Sequence, residues 1–429
     1  MATNERELSD TSAVRLRFLE AVASAEPPVR ARNLIVPGLD RRAVQKRLER
    51  LRRKIGGSAI GDEELIDHAR DELTRARGPA FRGLAKLQEL GDPRAREFAR
   101  EAGLQGTVIG DWVEIAHSPA DLGWSREQIS VREMPKKTLF SRGRSQSWLT
   151  EKKQILRALW KEGRADDDLK ASLTPNLLKM DLVGFGRFGT VDAPDCLIQV
   201  APMDWLTCLA LNSRVDEPAV TKRDDRTVRE QWGKPALVVE RQAMPGMLVA
   251  HIVVLTSDER FLVCLRQSLG LQDELDTWSV SIEERWSAER APSEPDAHPF
   301  DVVNRALREE LGMIAKESDI RVLAWGIESS VLYPGFIAIA RVAAASWEIE
   351  GLRASAPDAN EVTFVSSVPA DLDALQLMDE AHYSPPTRSD MSRHWHRTSK
   401  ARIFSALSHL MALRGEGRDR LLERVGNGS

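Results

Sequence analysis

Along the first hundred residues the apolar positions fall at helical spacing. Val44, Leu48, Leu51 and Ile55 recur at intervals of four, three and four, the seam of an amphipathic helix over residues 40–54 and the residue that follows, with Asp40 placed to cap it. Residues 14–22 read as another helix and residues 29–36 as a short one closed by Pro37-Gly38. Residues 62–103 alternate charge signs and read as further exposed helices. From about residue 107 the period changes. TVIGDWVEIAH and QISVREM bring in β-branched and aromatic residues and predict strands, as do GFGRFGTV and CLIQVAPMDWLTCLAL between residues 182 and 212.

A polar, linker-like stretch at residues 216–233 separates this middle region from the last one. Residues 247–265 hold two apolar runs split by Thr256-Ser257-Asp258-Glu259, a turn composition that predicts a hairpin. TWSVSI at residues 277–282 predicts a strand, and a polar run rich in Glu, Pro and Ala leads on to Pro299. Residues 300–312, FDVVNRALREELG, predict one helix: Val302, Val303, Ala306, Leu307 and Leu311 form its apolar face, Asp301 suits its positive end, and Gly312 closes it in a left-handed conformation. Strands at 320–329, 335–343 and 360–365 and a closing helix at 398–413 follow. The division expected is a helical region at 1–105, an α+β middle region at 106–235, an α/β domain at 240–415 and a flexible tail at 416–429.

Composition bounds these expectations. With 429 residues and 42% hydrophobic content the chain exceeds the roughly 250 to 300 residues at which one core stops growing. The 61 basic and 65 acidic residues leave a net charge of −4, so no global field draws nucleic acid or a membrane and any polyanion site must be local. The local candidates are the helix at 40–54, whose outer faces carry Arg41, Arg42, Lys46, Arg47, Arg50, Arg52, Arg53 and Lys54 against only one acid, Glu49, and the basic, Ser-rich stretch at 136–153, which reads equally as a solvated loop. Three short helices with a basic third resemble a helix-turn-helix unit, which implies DNA as a partner; a packed helix with solvated charges accounts for the same pattern. Cys196, Cys208 and Cys264 offer neither a CxxC pair nor a disulfide framework, and no apolar run reaches about 18 residues, so a cytoplasmic protein without a membrane span is expected.

The chemistry concentrates at Glu309 and Glu310. Two carboxylates in a helix's last turn meet the negative end of its dipole, at about 0.3 to 1 kcal/mol each, and Arg305 one turn back offsets this only partly. A divalent cation offsets it better, and magnesium uses few protein ligands while leaning on substrate phosphates. RALREELGM at residues 305–313 resembles the end of the Nudix box, with eight of nine positions agreeing, and the surrounding strand order is similar over about 170 residues. The resemblance implies an α/β/α sandwich with a mixed sheet, a Mg2+ (or Mn2+) ion held by Glu309 and Glu310 with Arg305 bracing them, and hydrolysis of a nucleoside or other organic diphosphate. The alternative is a catalytically weak nucleotide sensor coupled to the N-terminal helices.

Departures from the family pattern are specific. Ala306 stands where the family has a metal-binding glutamate, and the glycine and glutamate that precede the helix are not at their usual spacing. Glu283, Glu284, Asp296, His298 and Glu361 are the available substitutes. The isomerases built on a similar fold need a Cys-x-His-Pro context that is missing here, and Cys264 reads as an inert thiol in an apolar strand. His394 and His396 in RHWHR read as surface-loop residues. Trp278, Trp286, Trp325 and Tyr333 are the aromatic residues placed to shape a pocket; the tryptophans could stack on a base, while core packing is the more frequent role of a lone Trp.

Overall fold

The computed structural model describes residues 18, 22, 29–31, 34, 41–55, 61–66, 68–69, 93–102, 108–133, 178–187, 195–204, 215, 227, 229–230, 247–266, 277–288, 296–359, 362–372, 374–375 and 395–427. By internal contacts the chain divides into two units, residues 1–85 with 422–429, and residues 86–421.

In the first unit α1 (Arg41–Ile55) follows the predicted seam: Val44, Leu48 and Leu51 are buried among Phe18, Val22, Val29, Leu34, Leu65 and Ile66. The charge that was assigned wholly to the outer faces is divided. Arg52 turns inward, donating to the Val29 carbonyl at 2.9 Å and the Asp62 carboxylate at 3.0 Å, while Arg41, Arg42, Lys46, Arg50 and Arg53 are exposed and Arg47 is half-buried. The short helix expected at 29–36 is absent at its described positions: Val29, Arg30 and Leu34 are extended or irregular and Ala31 lies in a turn. Nor is 62–103 merely exposed helix, since α2 (Pro93–Glu101), in the second unit, buries Ala95, Phe98 and Ala99.

The second unit is a mixed α/β sandwich. Strands β1 (Val108–Ile109), β2 (Trp112–His117), β6 (Val249–Leu255), β7 (Arg260–Arg266), β10 (Ile320–Glu328), β11 (Tyr333–Arg341) and β12 (Val362–Pro369) form a sheet in the order β1-β2-β10-β11-β6-β7-β12. The pair β6–β11 is parallel, with Gly335 opposite Val249, and the other neighbours run antiparallel. The predicted hairpin is present but splayed. Strands β6 and β7 pair only at Leu255–Phe261; beyond that β9 (Ile282–Arg285) pairs with β6 and β8 (Thr277–Ser279) with β7. The Ser281 hydroxyl spans the fork, donating to the Leu262 carbonyl at 2.7 Å and accepting from the Val254 amide at 3.0 Å.

Alternation along β6 sorts the two faces. Ala250, Ile252 and Val254 pack on one side against Phe300, Val302, Val303, Ala306, Leu307 and Leu311 of α3 (Pro299–Leu311), while His251 points to the other side, where α5 (Ser399–Leu413) packs on β6, β10 and β11. Helix α3 ends as the sequence predicts: Gly312 has φ 68°, and a Cβ there would meet the carbonyl oxygen of Leu352, in the short helix α4 (Ile349–Arg353), at 2.5 Å.

The boundary drawn near residue 240 is crossed by the sheet, because β2 pairs with β10 in the register Ile327–Val113. A second sheet, β3 (Ile129–Glu133), β5 (Cys196–Asp204) and β4 (Leu178–Arg187) in the order β3-β5-β4, also contributes Ile129, Cys196, Ile198 and Val200 to the core that α3 fills. The stretch expected to be a flexible tail is helical instead, as α6 (Arg418–Asn427). Its first residue is anchored: Arg418 pairs with Glu114 at 2.7 Å and Asp121 at 3.1 Å and lies 5.2 Å from the Phe404 ring centroid.

That anchor sets an acid limit. Burial pushes the Glu114 carboxyl up, but Arg418 and His117 outweigh it and bring it to about 2 from 4.5. The folded value lies below the unfolded one, so the contribution is complete above about pH 4.5 and lost as pH falls toward 2; it amounts to about 3 kcal/mol. Arg418→Met is expected to lower stability at neutral pH and to flatten the loss between those two pH values, as read from urea unfolding at a series of pH values.

Candidate functional site

Sequence spacing fixes what α3 does with its polar residues. Its apolar stripe runs through Val303, Ala306, Leu307 and Leu311, and Glu310 falls on the same stripe, three residues after Leu307 and four after Ala306. Glu310 is accordingly buried to 1%, with both carboxylate oxygens beneath the surface. Glu309, one position earlier, is turned away from the core and keeps 26% of its side chain exposed. The two carboxylates thus differ in setting: Glu310 lies on the core side of the helix and Glu309 on its more exposed side. Ala306, fully buried, completes the core rather than a ligand set.

Arg305 organises what remains. Its Nε donates to both Asp296 oxygens at 3.1 and 3.2 Å and its Nη2 to Asp296 at 2.9 Å and to the Arg285 carbonyl at 2.7 Å. Its Nη1 donates to Glu309 Oε2 at 2.9 Å and stands 3.4 Å from Glu284 Oε2. Burial works against the charged guanidinium, but Glu284, Asp296 and Glu309 more than offset it and push Arg305 above its ordinary value. The three carboxylates share this guanidinium. Burial raises Asp296 and Glu309 above the usual carboxylate value, Arg305 offsets only part of this, and the charge of Glu284 adds to the rise in both.

Of the substitute ligands named from sequence, Glu284 and Asp296 join this cluster and Glu361 lies outside the described residues. His298 does neither: its Nδ1 accepts from the Phe300 amide at 3.3 Å as the cap of α3, and its Nε2 lies 3.0 Å from the Ile129 carbonyl. Asp301, in the first turn, accepts from Arg126 at 2.7 Å.

Glu283 faces the other way. Adjacent strand residues point to opposite faces, so Glu284, opposite Ala250, serves the α3 side and Glu283, opposite His251, serves the α5 side. There it meets Arg402 and His251, whose Nδ1 is 3.4 Å from Glu283 Oε2, while His396 Nε2 stands 3.6 Å from Glu283 and 3.8 Å from Glu328. Burial raises Glu283, but His396, His251 and Arg402 hold it well below the usual carboxylate value. The surface-loop reading of His396 is thus overturned: its side chain is 14% exposed and lies in this cluster, and His394 is outside the described residues. A signal for the cluster existed in the sequence, a histidine in the middle of the buried run VAHIVVL.

The aromatic residues offered for base stacking are core residues. Trp278, Trp286, Trp325 and Tyr333 are all buried; Trp278 packs edge-on to Phe364, Trp286 donates to the Asp296 carbonyl at 2.6 Å, and Trp325 packs on Phe336. Cys264 is fully buried, as an inert thiol would be. Among the described residues no helix is long and apolar enough to cross a membrane.

No family model and no curated protein matches the chain. Among solved structures it is similar to a protein from Deinococcus radiodurans, at 12% identity over 30% of this chain and 72% of that one with a TM-score of 0.22. It is also similar to a MutT/nudix family protein from Enterococcus faecalis, at 11% identity over 42% of this chain and 68% of that one with a TM-score of 0.23. Likenesses of that size assign neither family nor activity.

Proposed function

We propose that the α/β unit handles a nucleoside or other organic diphosphate at the half-exposed end of α3, as a Nudix-type hydrolase whose ligand set has shifted from Glu309 and Glu310 to Glu309 and Glu284. The supporting observation is charge. Asp296, Glu284 and Glu309 gather three carboxylates around one guanidinium, and two of them, Glu284 and Glu309, lie against the same Arg305 nitrogen. Hard oxygen donors in that surplus fit Mg2+ or Mn2+, which needs only one or two protein carboxylates when phosphates complete its shell. A bound divalent ion supplies charge neutralisation and polarisation of a phosphorus–oxygen bond. Asp296 fixes the Arg305 plane through both its oxygens, and Arg305 in turn holds Glu309 and Glu284 in place.

Magnesium-dependent turnover of a panel of nucleoside triphosphates, dinucleotides and nucleotide sugars tests this, with thermal shifts recorded on the same compounds. One compound is expected to be turned over. Glu309→Gln and Glu284→Gln are each expected to cut the rate by more than the roughly 10- to 100-fold seen for residues that merely support a metal ligand. Turnover untouched by both substitutions would overturn the assignment. Stabilisation by a nucleotide with no turnover would replace hydrolysis by sensing.

The exposed Arg41, Arg42 and Lys46 of α1, with the half-buried Arg47, support a second, separate proposal, that these four residues contact a polyanion such as DNA. The full chain is then expected to bind duplex DNA with an affinity that falls linearly with salt on logarithmic axes, and Arg41→Ala with Arg42→Ala is expected to reduce that slope by about 2. Binding without salt dependence would count against it.

A further inference from the structure

His298 caps α3 and is buried, and its two ring nitrogens face groups of opposite kind. Nδ1 lies 3.3 Å from the Phe300 amide, which can only donate, and Nε2 lies 3.0 Å from the Ile129 carbonyl, which can only accept. These partners select one species, the neutral imidazole with its proton on Nε2. We propose that His298 is an acid-sensitive catch between β3 and the first turn of α3, in which uptake of one proton at Nδ1 releases the cap of α3.

Three features oppose a proton at Nδ1. Its hydrogen would point at the Phe300 N–H, turning the cap bond into a contact between two donors. The first-turn amides lie at the positive end of the helix dipole, which disfavours a cation at the cap position. Arg126, in the turn Arg126–Gln128 just ahead of β3, brings a further positive charge. Among the described residues, the charged groups facing the ring are Arg126 from that turn, Asp301 from α3 and Glu317 from the turn Glu317–Asp319 ahead of β10. Both acids are already engaged by Arg126, at 2.7 and 3.1 Å. Burial first, and then Arg126, holds the imidazole below its ordinary value, and the Ile129 carbonyl, Asp301 and Glu317 offset this only in part.

Neighbouring contacts show what the catch holds. Ile129 and Phe300 both belong to the core that α3 fills, and the His298 and Phe300 rings lie 5.3 Å apart, so the cap sets how the first turn of α3 meets the second sheet. Asp296, two residues earlier, fixes Arg305, so the catch and the candidate site share one short segment; that link alone rests on the function proposed above. The folded value lies below the unfolded one. The catch therefore contributes fully above the ordinary histidine value of about 6.5, and its contribution is lost as pH falls through the folded value.

The test uses the full chain, isotope-labelled and titrated from slightly alkaline pH down to the acid limit of the fold, with the ring resonances of His298 and the hydrogen-exchange protection of the Phe300 amide read together. His298 is expected to hold the Nε2–H tautomer at the alkaline end and to titrate below about 6.5. Protection at Phe300 is expected to fall over the same interval by about 2- to 30-fold, the span that loss of a side-chain cap covers. His298→Asn, which keeps an acceptor at the cap and has no proton to gain, is expected to leave Phe300 protected throughout. A His298 ring that holds the other tautomer, that titrates at or above the ordinary value, or that stays neutral as long as the chain is folded overturns the proposal. Protection that stays level while the ring titrates, or that falls equally in the His298→Asn chain, overturns it as well. The parent titration decides the matter even if the variant fails to fold. Neither readout involves magnesium or a substrate, so failure of the hydrolase reading leaves the catch standing.

Discussion

Replacing Arg305 by methionine is expected to lower the unfolding free energy by about 3 to 5 kcal/mol, as for other partly broken buried ion pairs. The side chain is 11% exposed and its fork serves Asp296, Glu309, Glu284 and the Arg285 carbonyl together. Methionine fills much of the volume and supplies none of these donors. Asp296, 3% exposed in its side chain, is left as a buried carboxylate whose remaining named partner is the Ser287 amide. Lysine is expected to rescue little, because a point ammonium cannot reproduce donation to both Asp296 oxygens and Glu309 at once.

The pH dependence of the same variant carries a sign. Asp296 and Glu309 are raised in the folded protein, by burial first, so each adds stability that is full below the ordinary carboxylate value and is lost as pH rises through the folded one. Without Arg305 the rise grows, and stability is expected to fall more steeply with pH on the way to neutrality than it does in the parent. This is opposite in direction to the Glu114 contribution, so urea titrations on both sides of pH 4.5 separate the two. A variant that loses activity while keeping the parent's stability and pH profile would place Arg305 in contact with substrate rather than in support of Glu309.

Much of the architecture was legible in local pattern. The α1 seam, the span and left-handed end of α3, the strands β10 and β11 and the closing helix α5 all rest on periodicity and caps within a dozen or so residues. Partners chosen at long range were not. Nothing in Trp112–His117 says that its neighbour is β10, and nothing in the apolar runs of β6 and β7 says that β8 and β9 divide them after one pair. The helical span beginning at Arg418 was hidden because its anchors, Glu114 and Asp121, lie some 300 residues back.

The site was half legible. Arg305 and Glu309 stand four residues apart and meet as expected, whereas Glu310, adjacent to Glu309 in the motif, lies buried. Helical phase gives the reason: position 310 continues the stripe of Ala306 and Leu307. Glu284 and Glu283 illustrate the same lesson in a strand, where neighbours in sequence belong to different clusters. His396 was misread because a histidine in a polar segment gives no hint that β9 and β10, 113 and 68 residues earlier, converge on it.

Arg402→Met is the second substitution expected to cost about 3 to 5 kcal/mol. Arg402 is fully buried on α5, yet its donors reach across to the sheet: Nη1 to the Ser279 hydroxyl at 2.8 Å and the Val280 carbonyl at 3.0 Å, Nε to Thr398 at 2.8 Å, and Nη2 to Glu283. Methionine keeps the packing and strands Glu283, a carboxylate otherwise faced by histidines, together with a buried carbonyl. Adding Glu283→Gln is expected to return part of the loss, since the largest component is the uncompensated charge; the double-mutant cycle measures that component directly. Additive losses would instead assign the cost to Ser279, Val280 and Thr398.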